Sequence, residues 1–191
     1  IQSVFEIKSS MEEGSRRYSI SSEDGYSVEF KNVNLCYNEG ADSSLTGIDF
    51  SVRKGETVGI IGGTGSGKSS LVGLIPRFYD ATQGQVLVDG VNVKEYSFDE
   101  LREHVGIVMQ KAVLFKGTIR ENLKWGKNDA ADEELWAAID AAQAREFVET
   151  KDGGLDFEIA QGGKNLSGGQ KQRLTIARAL VRKPDILILD D

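Results

Sequence analysis

Alternation of apolar and polar positions organises the first third of the chain. Val28, Phe30, Leu35 and Tyr37 alternate with polar residues, which predicts half-buried antiparallel strands. Residues 45–52 and 56–61 continue the strands, with Lys54-Gly55 as the turn between them. Within the second of these, Thr57-Val58-Gly59-Ile60-Ile61 is a continuous apolar run that reads as a buried strand. Residues 70–75 read as a helix start, with the end near Pro76 and a turn at 80–84. Residues 85–88 and 91–93 flank Asp89-Gly90, the pattern of a hairpin.

Further on the period lengthens. Phe98–His104 predicts a short helix, and residues 105–109 a strand ending at Gln110. Residues 118–150 are helical in character. Asp132-Glu133-Glu134 suits a helix N-terminus, where negative charge meets the positive end of the dipole, and Leu135, Ile139 and Phe147 make an apolar face. Glycine pairs at 153–154 and 162–163 bracket a loop. A helix over 170–181 follows, stopped by Pro184. Ile186, Leu187, Ile188 and Leu189 then lead into Asp190 and Asp191. Four apolar residues before acids read as a buried strand that delivers carboxylates to its C-terminal edge, where ligands bind in open α/β sheets. Residues 1–24 are polar. A short helix is expected over 1–11 and a linker over 12–24.

Composition narrows the class. The 191 residues suit one domain with a real core, and 39% hydrophobic with 28% charged residues is a globular composition. A net charge of −7 argues against a nucleic-acid surface, which needs a basic balance. No apolar run approaches the roughly 18 residues of a membrane span. Cys36 is the single cysteine, so no internal disulfide forms, and it reads as a buried structural thiol. His104, the single histidine, reads as a surface residue at a helix end.

One stretch carries chemistry by itself. Gly62, Gly63, Thr64, Gly65, Ser66, Gly67, Lys68 and Ser69 fit G-x-x-x-x-G-K-[ST], the phosphate-binding loop, set between an expected strand and a helix that opens through Ser70. Glycines let the backbone fold tightly round an anion, so that successive N–H groups point inward with a helix N-terminus behind them. Lys68 would reach the β- and γ-phosphates of a nucleoside triphosphate, and the Ser69 hydroxyl would ligate magnesium.

Together with Leu166, Ser167, Gly168, Gly169 and Gln170, and with residues 186–190, this loop makes the chain resemble the nucleotide-binding domain of ABC transporters. Residues 117–123 (Gly-Thr-Ile-Arg-Glu-Asn-Leu) and 75–80 (Ile-Pro-Arg-Phe-Tyr-Asp) are similar to the exporter subfamily. The resemblance covers roughly residues 26–191. It implies an α/β fold: a P-loop NTPase core of mostly parallel sheet with flanking helices, an antiparallel β subdomain and a helical subdomain at about 117–165. It also implies that residues 1–25 link to a transmembrane domain outside this sequence, and that the domain continues past Asp191, so that this chain is C-terminally truncated.

The resemblance assigns roles as well. Tyr37 would stack on adenine, Gln110 would ligate magnesium and sense the γ-phosphate, and Asp190 would hold magnesium through water. Leu166, Ser167, Gly168, Gly169 and Gln170 would cap the ATP of a second nucleotide-binding domain in a head-to-tail pair. Residues 112–116 would lie against the transmembrane partner, at the cytoplasmic face of the membrane. Neither nucleic acid nor direct membrane insertion by this segment is expected. The family usually has glutamate after the magnesium-holding aspartate, as the base that positions attacking water; here Asp191 stands there. Its shorter side chain suggests the weakly hydrolysing half of a heterodimeric exporter, with a slow homodimer as the alternative. A binding-only regulatory half is a further reading. A chromosome or repair ATPase is disfavoured, because the interval from Lys68 to Ser167 holds no heptad run for its long coiled coil.

Overall fold

The computed structural model describes residues 11–19, 25–37 and 43–190. The short helix expected over 1–11 lies mostly outside them, and Asp191 lies outside them altogether. The chain divides into two units, Ile1–Arg102 and Glu103–Asp191.

In the first unit the alternating apolar pattern becomes a four-stranded antiparallel sheet, in the order β2-β1-β3-β4: β1 (Tyr26–Leu35), β2 (Leu45–Arg53), β3 (Gln83–Val88) and β4 (Val91–Asn92). Val28, Phe30, Val33 and Leu35 of β1 are all buried. Phe30 lies opposite Phe50 of β2, their rings stacked at 4.6 Å. The step from Phe30 to Val33 is a register shift at Asn32, which has a positive φ of 48°. Asp89 and Gly90, with φ 47° and 76°, join β3 to β4, the geometry that a two-residue hairpin needs.

The run 57–61 departs from its reading. It joins no strand among the described residues, and Ile61 is 99% exposed, with Val58 and Ile60 also exposed. Hydrophobicity marks a segment that can be buried, but a strand forms only where a neighbour satisfies its N–H and C=O groups.

Residues 11–19, of which 12–19 read as linker, pack as a strap on this unit. Arg16 forms a parallel bridge with Tyr96, its N–H donating to Glu95 O at 2.9 Å. The Phe98 N–H donates to Glu13 Oε1, and the Tyr18 hydroxyl to Asp89. Gly14 permits this approach, because a Cβ there would fall 2.1 Å from Glu95 O. Asp89 is buried with the Lys54 ammonium 2.7 Å from Oδ1. Burial, and then the nearby Asp89 charge, push the Tyr96 phenol up to about 12, so it stays protonated and donates to Val88 O.

The first unit also holds α1 (Lys68–Gly73) and most of α2 (Phe98–His104). The second contains β5 (Val105–Val108), β6 (Gly117–Thr118), α3 (Ile119–Lys124), α4 (Asp132–Ala141), α5 (Arg145–Glu149), β7 (Glu158–Ile159), α6 (Gly168–Leu180) and β8 (Ile186–Leu189). β5 and β8 pair in parallel, and β6 and β7 antiparallel. β8 is only half buried: Ile188 is covered, whereas Leu187 and Leu189 are exposed. Its only ladder among the described residues is on the β5 side, so the expectation of a fully buried strand is corrected.

The helices of this unit share one apolar core. Leu135 and Ile139 of α4, Phe147 and Val148 of α5, Ile119 and Leu123 of α3, and Leu174 and Ala177 of α6 all enter it. Cys36 is half-buried rather than buried, and His104 pairs with Asp185 at 2.6 Å. No helix among the described residues is long and apolar enough to cross a membrane.

Candidate functional site

The glycine loop is shaped by two steric demands. A Cβ at Gly62 would lie 2.6 Å from Ser66 Oγ, and one at Gly67 would lie 2.8 Å from Ser44 O. Gly65 and Gly67 also have φ of 80° and 87°, where side chains are strained. Gly67 thus caps α1 in a left-handed conformation and turns the chain directly into Lys68, Ser69 and Ser70. Gly63 and Gly65, by contrast, have open space where a Cβ would stand. A crowded base under an open rim is a cradle for an anion.

The Lys68 ammonium donates to Gly62 O at 2.8 Å and Gly63 O at 3.0 Å, so its charge sits over the loop backbone. Tyr37 reaches the same helix: its hydroxyl donates to Ser70 Oγ at 2.8 Å, and its ring stands perpendicular to Tyr79 at 4.9 Å. The structure therefore brings Tyr37, Lys68 and Ser70 together round α1. The oxygen donors expected at magnesium are a hydroxyl (Ser69), an amide (Gln110) and a carboxylate (Asp190). All are hard ligands that suit an ion keeping several waters and phosphate oxygens.

In the second unit, Val108 pairs with Leu189 and the Asp190 N–H donates to Val108 O at 2.9 Å. Gln110 and Asp190 thus leave the C-terminal ends of two adjacent parallel strands, the edge at which open α/β sheets bind ligands. Gln110 is exposed and Asp190 half-exposed.

Ser167 caps α6. Its Oγ accepts from the Gln170 N–H at 3.3 Å, and Gln170 Oε1 accepts from the Ser167 N–H at 3.0 Å. This reciprocal box fixes the helix entry, and Leu166 anchors it from the core side. Gly168 and Gly169 meet nothing within 4 Å where a Cβ would stand, and the first turn carries no acidic residue. The helix N-terminus is therefore open, with its dipole unopposed by local negative charge.

Residues 112–116 are held by side chains whose part the sequence reading did not identify. Buried Asn122 accepts from the Phe115 N–H at 2.8 Å and donates to Phe115 O and Thr118 O. Arg178 of α6 donates to Val113 O at 3.1 Å; burial holds its guanidinium below the usual arginine range. Asn122 was legible as part of the stretch 117–123, but one of its partners, Phe115, lies upstream of that stretch.

Comparison with known proteins gives a consistent result. The family model for ABC transporters matches residues 45–191. A multidrug export ATP-binding/permease protein of Bacillus subtilis (strain 168) is 46% identical over 164 residues, covering 86% of this chain and 28% of that protein. A similarly named protein of Staphylococcus aureus (strain bovine RF122 / ET3-1) is 44% identical over the same length. Among solved structures, a bacterial Atm1-family ABC exporter with ATP bound has a TM-score of 0.84 at 36% identity, covering 92% of this chain and 30% of that one. The chain spans less than a third of the length of these relatives.

Proposed function

Because the chain belongs to the ABC transporter family, we propose that it binds and hydrolyses ATP to drive export of a substrate across a membrane, working head to tail with a second nucleotide-binding domain. The observation that carries this reading is the convergence on α1 of the glycine cradle, the Lys68 ammonium and the Tyr37 ring. A phosphate site and a base-stacking platform on one short helix match the two ends of a nucleotide.

The residues divide the work. Lys68 exchanges its two carbonyl partners for β- and γ-phosphate oxygens. The Tyr37 ring stacks on the adenine, worth roughly 1–3 kcal/mol without base-edge hydrogen bonds. Ser69, Gln110 and Asp190 would hold magnesium, which when bound would neutralise charge on the phosphates. Ser167, Gly168 and Gly169 present an open helix N-terminus to the phosphates of ATP held by the partner domain. Residues 112–116 face the transmembrane domain on the cytoplasmic side, and residues 1–25 lead to it. Residues 26–191 are the nucleotide-binding part, with a helical lobe at about 117–165.

Asp191 limits turnover at this chain's own loop. Aspartate is one methylene shorter than glutamate, so its carboxylate retreats by about 1.5 Å. Misplacement of about 1 Å can cost on the order of 100-fold in rate. This half therefore holds ATP more than it consumes it, while its intact signature serves the partner's site.

Two substitutions in the full transporter test the reading. Ser167→Arg should lower ATP turnover yet leave the affinity of this chain's own loop unchanged; equal losses in both would contradict a signature acting on the partner's ATP. Asp191→Glu should raise turnover, and an unchanged rate with ATP still bound would contradict the slow-site assignment.

A further inference from the structure

The Tyr37 side chain raises a geometric question. The hydroxyl oxygen that donates to Ser70 Oγ at 2.8 Å lies on the axis about which a phenol ring spins. That bond fixes how far the ring reaches from β1, but it does not fix the plane of the ring. A stacking platform needs the plane fixed, because a base gains its contact only when the two faces align. Some lateral neighbour has to set it.

Tyr79 is that neighbour. Its ring meets Tyr37 at 4.9 Å and 86°, the perpendicular arrangement that aromatic quadrupoles favour. Tyr79 is itself firmly seated. A Cβ on Gly73 of α1 would lie 3.9 Å from its ring, so the tyrosine rests against the helix that follows the phosphate loop. The turn that carries it is locked by Arg77, which is 2% exposed and has a positive φ of 55°. Arg77 grips Asp80 with Nε at 2.7 Å and Nη2 at 3.1 Å, and donates to Lys94 O and to Glu12 O of the strap. Tyr37 and Tyr79 are similarly exposed, at 46% and 44%, so both residues stand at the surface.

We propose that Tyr79 is a positioning residue for nucleotide-base recognition: it sets the plane of the Tyr37 ring from a turn locked by the Arg77–Asp80 pair. The proposal rests on the reading of Tyr37 as the base-stacking residue. It assigns a purpose to the stretch 75–80 that the phosphate chemistry leaves without one. The ring of Tyr79, not its hydroxyl, makes the contact, so phenylalanine suffices there.

The test compares affinities for Mg-ATP and for magnesium tripolyphosphate, which carries the phosphates but no base, in the full chain and its variants. Tyr79→Ala should weaken Mg-ATP binding about 2- to 10-fold. Tripolyphosphate binding should be unchanged, and Tyr79→Phe should restore ATP affinity. A merely structural role would weaken both ligands together, and that outcome overturns the proposal. Tyr37→Ala is the control for the underlying reading. If it weakens ATP binding while Tyr79→Ala does not, the positioning role alone fails. If Tyr37→Ala has no effect, the base-stacking reading fails and the proposal with it.

Discussion

Gly67 meets two constraints at one atom: its φ of 87° disfavours any side chain, and Ser44 O occupies the space where a Cβ would go. The backbone clash cannot be relieved by a rotamer change, so Gly67→Ala should displace the loop from Lys68 onward. We expect it to weaken Mg-ATP binding at least 10-fold in isothermal titration, whereas Gly63→Ala, with open space before it, should bind within about 3-fold of wild type. Gly67 and Lys68 were legible in the sequence because the spacing of a phosphate loop is local. The parts played by Arg77 and Tyr79 were not, although both stand in quoted stretches. Their meaning comes from partners distant in the chain, such as the Glu12 and Lys94 carbonyls at Arg77, which no residue pattern encodes.

Among the elements, those with a complete local signature matched their reading. The hairpin at Asp89-Gly90, helix α2 and the helix read over 170–181, found at Gly168–Leu180, fall in this group. Segments that depend on a neighbour did not match, as the exposed run 57–61 and half-exposed β8 show. The strap of residues 11–19 went unseen for a related reason: backbone groups, one glycine and scattered polar side chains such as Glu13 and Tyr18 hold it, not an apolar stripe. Two substitutions weigh the local devices. Ser167→Ala removes a cap and should destabilise the chain by about 1 kcal/mol. Asn122→Ala leaves the Phe115 N–H and C=O without their carboxamide partner and should cost about 1–3 kcal/mol. Urea midpoints measure both, and equal losses at the two sites would contradict the burial argument.

Across the molecule, acid should act first on the helical region. The guanidinium of Arg120 holds the Asp156 carboxyl below its usual range, Arg145 does so for Asp140, and Lys127 for Glu134. A carboxyl depressed in the folded state adds stability above its unfolded pKa, and this is lost as pH falls through the folded value. The loss should therefore begin near pH 4 and deepen below it. These pairs are exposed, so the effect should be modest and should shrink in high salt. Arg120→Met should flatten the decline in urea midpoint between pH 5 and pH 3; an unchanged slope would show that its ion pair with Asp156 carries no such linkage. The proposed role as a nucleotide-holding half of an exporter's engine rests on the cradle at Gly62–Ser69. Isothermal titration of Mg-ATP into the full chain and its Lys68→Ala variant tests it most directly. The wild type should show saturable binding that the variant loses; undiminished binding by the variant would overturn the phosphate-loop assignment.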